Sequence, residues 1–215
     1  MPRTSGPETR EKLIRAAEEV FAGQGVDGAQ LRDVVALAGQ SNPSAVQYHF
    51  GSRAGLLDAV MAGRLARTEA ALAPLLTAAQ AGEPTLRELL GLLVTAEATE
   101  LRTDRGRRCL RISAQLSHES GVRARVPHPT LDGTAYWRLI CRIEGALAAA
   151  GLPEAVRLER LDLALTLIGA AFADRARHYL DGAAPLTDEE LFLADLTGTT
   201  AAFLLAAAPE RRSSP

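Results

Sequence analysis

Lysine is almost missing from this chain. Of its 24 basic residues only Lys12 is a lysine, and against 26 Asp and Glu the formal net charge is −2. No basic tail is available to coat a polyanion, so any binding of nucleic acid must come from a local surface. The arginine-for-lysine bias, together with abundant alanine, reads as the codon bias of a GC-rich genome and carries little functional weight. Cysteine is scarce as well. Cys109 and Cys141 are too few for a disulfide framework or a Cys-rich metal site, and both lie in apolar helical runs, as suits reduced cytosolic thiols. No apolar run reaches the roughly 18 residues of a membrane span. Met1 to Gly6 lacks the apolar core of a secretory signal, so a cytoplasmic protein with no membrane partner is expected. Aromatics make up 4%, and no stretch alternates β-branched and polar residues as a half-buried strand does. Ala and Leu dominate instead, and both are strong helix formers. These absences exclude β and α/β classes and leave an all-α fold.

Within the 215 residues, the punctuation is that of a helical chain. Ser5-Gly6-Pro7-Glu8 forms a capping box before Leu13, Ala16, Ala17, Val20 and Phe21, which recur at helical spacing up to Gly23 and Gly25. A short helix carries Leu31, Val34, Val35 and Ala38 and stops at Gly39. After Gln40 and Ser41, Asn42 reads as the cap of a third short helix from about Pro43 to His49. Ser52 caps a long fourth helix in which Pro74 is a candidate kink. Further helices are expected from Thr85 to about Leu101, Gly106 to His118, Leu131 to Ala150, Pro153 to about Leu180, and Thr187 to about Ala208, with Arg211 to Pro215 frayed. No internal repeat is visible.

The unit at 31–50 reads as a helix-turn-helix, for which the first helix supplies the missing apolar face. With Val46 and Phe50 turned inward, Ser44 and Tyr48 lie about 200° away from Val46 at ~100° per residue, facing outward, with Gln47 flanking and His49 beside them. Such a face suits base edges and phosphates. Asn42 and Ser44 also place free helix-start amides where a phosphate can dock.

Leu13 to Leu57 resembles the helix-turn-helix head of the TetR family of bacterial transcriptional regulators. The likeness rests on Val20-Phe21, Gly25, Arg32-Asp33-Val34, Ala38-Gly39, and above all Tyr48-His49-Phe50, Gly51-Ser52-Arg53 and Leu56-Leu57. The resemblance implies phosphate contacts from Tyr48, His49 and Arg53, and base contacts within reach of Arg32, Ser44 and Gln47. Gln30 stands where the family usually has Thr at the start of helix 2, Val35 where it has Ala, and Gln47 where it often has Tyr. The turn holds one more residue than the commonest pattern. Gln30, Ser41 and Asn42 complete the expected DNA-contact set.

In the second half, Leu158, Leu161, Leu165, Ile168 and Phe172 form one stripe, with Leu163, Ala164, Leu167 and Ala171 beside it. Leu193, Leu196, Thr200, Phe203 and Ala207 form another on the last helix. Helices apolar round more than one face must bury more than one face. The expected cover is a second copy, in a four-helix bundle whose interface includes Leu165, Ile168, Phe172, Leu196 and Phe203. A two-fold dimer would read two half-sites of a near-palindromic operator. The resulting expectation is a ligand-responsive regulator, most simply a repressor. Residues 1–52 would bind DNA; residues 53–215 would dimerise and bind a small apolar or amphipathic effector near Tyr136, Trp137, Cys141 and Phe172. No cofactor is implied. His118, His128 and His178 lack paired ligands at metal spacing. Arg102, Arg105, Arg107, Arg108 and Arg111 read either as a solvated face beside Glu97, Glu100 and Asp104 or as an anion or DNA contact. The competing readings are an all-α enzyme, against which stands the lack of an acid/base array, phosphate-cradling loop or nucleophile–base motif, and a helical protein-binding adaptor, which leaves the outward Ser44, Gln47, Tyr48 and His49 unexplained.

Overall fold

A computed structural model describes residues 6–79, 82–117 and 120–207. The Ser5 cap, His118 and the tail from Arg211 to Pro215 lie outside the described residues. The described residues form helices and turns without a strand: α1 (Gly6–Gln24), α2 (Leu31–Leu37), α3 (Ala45–Phe50), α4 (Arg53–Ala78), α5 (Leu86–Ala98), a 3-10 turn (Thr99–Arg102), α6 (Asp104–Gln115), α7 (Ala135–Ala149), α8 (Glu154–Leu180) and α9 (Glu189–Leu205).

Capping chemistry sets most of these boundaries. The Ser52 hydroxyl accepts from the Gly55 amide at 3.0 Å to start α4. Thr85 and Glu88 close a reciprocal capping box on α5, and the resulting hydrogen bonds to Thr85 hold the Glu88 carboxyl below its usual pKa. Gly25, Gly39 and Gly151 follow α1, α2 and α7 with φ of 84°, 66° and 80°, the left-handed values that glycine takes most readily.

Three helices start later than the sequence suggests. α3 begins at Ala45 with Ser44 at its N-cap, because the Asn42 side chain closes a turn one step earlier, accepting from the Ser44 amide at 2.9 Å. α7 begins at Ala135 rather than Leu131, since Thr134 caps it and 131–133 form a turn. α9 is capped by Asp188 and not Thr187. The carbonyl and hydroxyl of Thr187 are already taken by the buried Arg175 guanidinium, which also lies 4.2 Å from the Phe192 ring centre.

Two apolar clusters result. The first joins Leu13, Ala17 and Phe21 of α1 to Val34 and Val35 of α2 and Ala45 and Val46 of α3. It is completed by Leu56 and Val60 of α4 and Cys109 and Ile112 of α6. The second is built from α5, α7, α8 and α9, with Leu93, Leu139, Ile143, Leu161, Phe172 and Leu204 at or near zero exposure. Each such side chain contributes roughly 1.5–3 kcal/mol of burial.

Ion pairs seam the clusters together, and here the arginine-rich segment finds its use. Arg105, Arg107 and Arg108 are engaged within the chain, while Arg102 stands exposed. Arg105 pairs with Glu18 and Glu11, Arg108 approaches Glu19, and Arg107 pairs with Asp104 and caps the Leu101 carbonyl, so α6 is fastened to α1 and to the 3-10 turn. Gln115 adds a 2.8 Å bond from the Val26 amide. On the other side of α4, Arg64 pairs with Glu97 and Arg67 with Glu100.

Candidate nucleic-acid interface and internal cavity

α3 is six residues long and is held by two of them. Ala45 and Val46 are buried against α1, α2 and α4, while Ser44, Gln47 and Tyr48 face solvent, Tyr48 at 83% exposure. His49 is half-buried and lies edge-on to Tyr48, with ring centres 4.9 Å apart. Phe50 is half-buried, with the Arg10 guanidinium stacked over it at 5.0 Å. Ser41 and Asn42 are exposed in the turn before α3, although the side-chain oxygen of Asn42, Oδ1, accepts from the Ser44 amide. Arg32 projects from α2, at 3.6 Å from Asp33. Gln30 occupies the N-cap of α2 without capping it, so its side-chain amide is free of the helix.

Arg53 is drawn partly inward. Its guanidinium donates to the carbonyls of Ala29 and Val26 and lies 5.4 Å from the Phe21 ring centre. It therefore pins α4 to the loop between α1 and α2. These bonds use two of its five N–H donors, and the side chain stays half-buried at the edge of the head.

One cavity of the body brings in one of the four residues expected at an effector. A space of about 160 Å³ opens between α4, α6, α7 and α8. Its apolar wall includes Leu57, Met61, Leu110, Ile140 and Ile168; its polar wall includes Arg64, Glu97, His128 and Tyr136. Of the four residues expected at an effector, only Tyr136 lines it. Cys141 is exposed on the outer face of α7, Trp137 packs against the second cluster, and Phe172 is fully buried edge-on to Phe192 between α8 and α9. Burial first, then the Glu97 carboxylate, pushes the Tyr136 phenol well above its usual pKa. Burial works to lower the Arg64 pKa, but Glu97 together with Tyr136 and Glu100 holds it above its ordinary value. The sequence held a signal for this wall: Arg64 and Arg67 on α4 repeat the three-residue step of Glu97 and Glu100, so the two helices meet as a ladder of ion pairs.

On the outer side of α8, Leu163, Thr166, Leu167 and Ala170 are exposed at helical spacing, and on α9 so are Ala202, Phe203 and Ala206. This changes the expected interface. Ile168, Phe172 and Leu196 are buried inside the chain and Leu165 lines the cavity; only Phe203 of the five faces outward. The stripe that reads strongest in sequence is covered by the chain's own α5, α6 and α9; of the second stripe Leu163 and Leu167 are uncovered, while Ala164 is buried and Ala171 half-buried.

Among the described residues, no group of three or more His, Cys, Asp or Glu is placed to hold a metal, and no helix is long and apolar enough to cross a membrane. Residues 13–60 match the family model described as bacterial regulatory proteins, tetR family. Two relatives from Pseudomonas putida, the HTH-type transcriptional regulators SrpR and TtgW, are each 44% identical over 57 residues. That stretch is 26% of this chain in both cases, 26% of SrpR and 42% of TtgW, so the match spans less than half of either relative. Over nearly the whole length the fold is that of the HlyIIR mutant protein (TM-score 0.52, 15% identity, 95% of this chain and 100% of that one) and of a TetR-family transcriptional regulator from Rhodococcus sp. (TM-score 0.50, 18% identity, 92% and 99%).

Proposed function

We propose that the chain is a member of the tetR family of bacterial regulatory proteins, whose model its residues 13–60 match, and that it works as a transcriptional regulator and not as an enzyme. The chain is a DNA-binding repressor. Residues 1–52 read an operator, and residues 53–215 dimerise and sense a small apolar or amphipathic molecule. The observation that carries this reading is the outward face of α3, where Ser44, Gln47 and Tyr48 stand exposed on a helix whose Ala45 and Val46 are locked into a core.

In the reading we propose, Tyr48 and His49 meet phosphates and Gln47, Ser44 and Arg32 reach base edges in the major groove, with Gln30, Ser41 and Asn42 at the margins. Phosphate contacts set register and affinity for any duplex; base contacts set sequence. One six-residue helix reads few bases, so two copies are needed. The exposed faces of α8 and α9, with Leu163, Leu167 and Phe203, provide the surface for a two-fold bundle.

Release follows from shared residues. Leu57 and Met61 of α4 and Leu116 of α6 line the cavity and also pack against the first cluster. A molecule filling the cavity favours the spacing of α4 and α6 that fits it. Because α6 is tied to α1 through Arg105 and to the turn after α1 through Gln115, that preference reaches the head. The molecule shifts the equilibrium only by its differential affinity for the two arrangements. The test is a mobility-shift titration of the dimer against duplex from upstream of its own gene and against random duplex, at two salt concentrations. Tighter, salt-sensitive binding to the upstream duplex supports the reading; no binding to either rejects it.

A further inference from the structure

The stripe of α1 that faces the first cluster runs through Leu13, Ile14, Ala17 and Phe21, all buried. One turn earlier the same stripe passes through Arg10, three residues before Leu13 and four before Ile14. A cation stands where the core pattern calls for an apolar side chain. Arg10 is exposed, and its guanidinium carbon lies 5.0 Å from the centre of the Phe50 ring, at the end of α3. The other cations of α1 are paired one turn back along the helix, Lys12 with Glu8 at 2.8 Å and Arg15 with Glu11 at 3.1 Å. Arg10 has Gly6 at that place. Among the described residues it has neither a carboxylate partner nor a hydrogen-bond acceptor; its one recorded contact of charge is the Phe50 ring.

That contact places the cation. The His49 ring lies 6.2 Å from Phe50 and 4.9 Å from Tyr48, so the Arg10 guanidinium, Phe50, His49 and Tyr48 make one unbroken row from α1 to the outward face of α3. A guanidinium held over an aromatic ring keeps its N–H donors for another acceptor, and its planar fork matches a phosphate. Resting on a half-buried ring, the long side chain also has less freedom to lose when it meets a partner. In a chain of net charge −2, an unpaired cation beside this face is the local positive surface that a polyanion needs.

We propose that Arg10 is a DNA-backbone contact, its guanidinium donating to a phosphate beside those met by Tyr48 and His49. The interface then reaches from α3 onto α1, and Phe50 is the platform that fixes the arginine. A phosphate contact carries no sequence information, so Arg10 grips any duplex. This proposal rests on the operator-binding reading given above and adds to it a residue from outside the helix-turn-helix.

The test is the salt dependence of binding, measured with the full chain on the upstream duplex and on a random duplex. The wild type is compared with Arg10→Met, Arg10→Lys and Lys12→Met. Arg10→Met keeps an unbranched stem to lie on Phe50 and removes the charge. It should weaken binding to both duplexes by the same factor, and its salt slope should fall by about one. Between about 50 and 200 mM salt the wild type should then lose about threefold more affinity than this variant. Arg10→Lys should keep the wild-type slope. Lys12→Met removes a cation already paired with Glu8 and should keep both slope and affinity. Arg10→Gln repeats the loss of charge with a polar stem and should match Arg10→Met, so the outcome does not hang on one variant folding. An unchanged slope in the uncharged variants means that Arg10 only packs on Phe50, and overturns the proposal whatever the thermal midpoint does. A loss confined to the upstream duplex, the mark of a base contact, overturns it as well. So does an equal fall in slope in Lys12→Met, which would report the general field of the head. If the wild type binds neither duplex, the operator reading fails and this proposal with it; if the wild type binds and Arg10→Met matches it, only this proposal fails.

Discussion

The head and the body carry their chemistry in opposite ways. In the head, the groups that matter stand outside, on a short helix whose inward residues are few and adjacent in sequence: Ala45 and Val46 in, Ser44, Gln47 and Tyr48 out. In the body, the polar wall is inside, assembled from α4, α5 and α7 by residues as far apart as Arg64, Glu97 and Tyr136. A face built from consecutive residues is read from local periodicity. A cavity depends on which helices pack together, and periodicity says nothing of that. The difference also predicts opposite responses to mutation: the head can lose function and keep its fold, whereas the body's polar wall is part of what holds it together.

The sharpest break of this comparison is Glu97→Leu, which strands Arg64 in the interior. It should cost about 3–5 kcal/mol of stability, read as a lowered midpoint in denaturant at unchanged slope. A loss under 1 kcal/mol would mean that the wall is not structural. Phe203→Asp places a charge in the proposed interface on both sides of the two-fold, at several kcal/mol per copy if it stays buried. Sedimentation should report monomer or aggregate, and an unchanged soluble dimer would remove Phe203 from the interface. Gln47→Ala should lose ~1–3 kcal/mol of operator binding and discriminate less between sequences, with thermal unfolding unaltered. Ser52→Ala removes the cap of α4 and should cost about 1 kcal/mol, a small loss on the boundary between the two regions.

A smaller effect separates the two thiols. Burial above all, and then Glu18, push the Cys109 thiol from its ordinary 9.0 to about 11. Its folded pKa is raised, so its contribution to stability is complete below the unfolded value and is lost as pH rises from about 9 towards 11. At pH 8 a thiol reagent should modify only Cys141, which is exposed, and a second thiol should appear on unfolding. Two reactive thiols in the folded protein would contradict the packing of the first cluster.

The helices and most of their caps were legible because Ser52, Thr85 and the glycines after α1, α2 and α7 act within a turn of themselves. The shifted cap of α9 was not, since the competitor for Thr187 is Arg175, a turn and more before the end of α8. The apolar stripes of α8 were visible, but which stripe is covered depends on α5, α6 and α9, so Phe172 and Phe203 read alike in sequence and differ in place. Arg53 followed the motif, but its bonds to the Ala29 and Val26 carbonyls were not legible, because no side-chain pattern reveals backbone partners.

Binding of operator DNA by the exposed face of α3 is measured by fluorescence anisotropy of labelled upstream duplex with the wild type and with a Gln47→Ala/Tyr48→Ala double variant, at fixed salt. The variant should unfold at the wild-type temperature and sediment as the wild type does, while its affinity falls by about tenfold or more. Wild-type affinity in that variant would show that this face does not hold the operator.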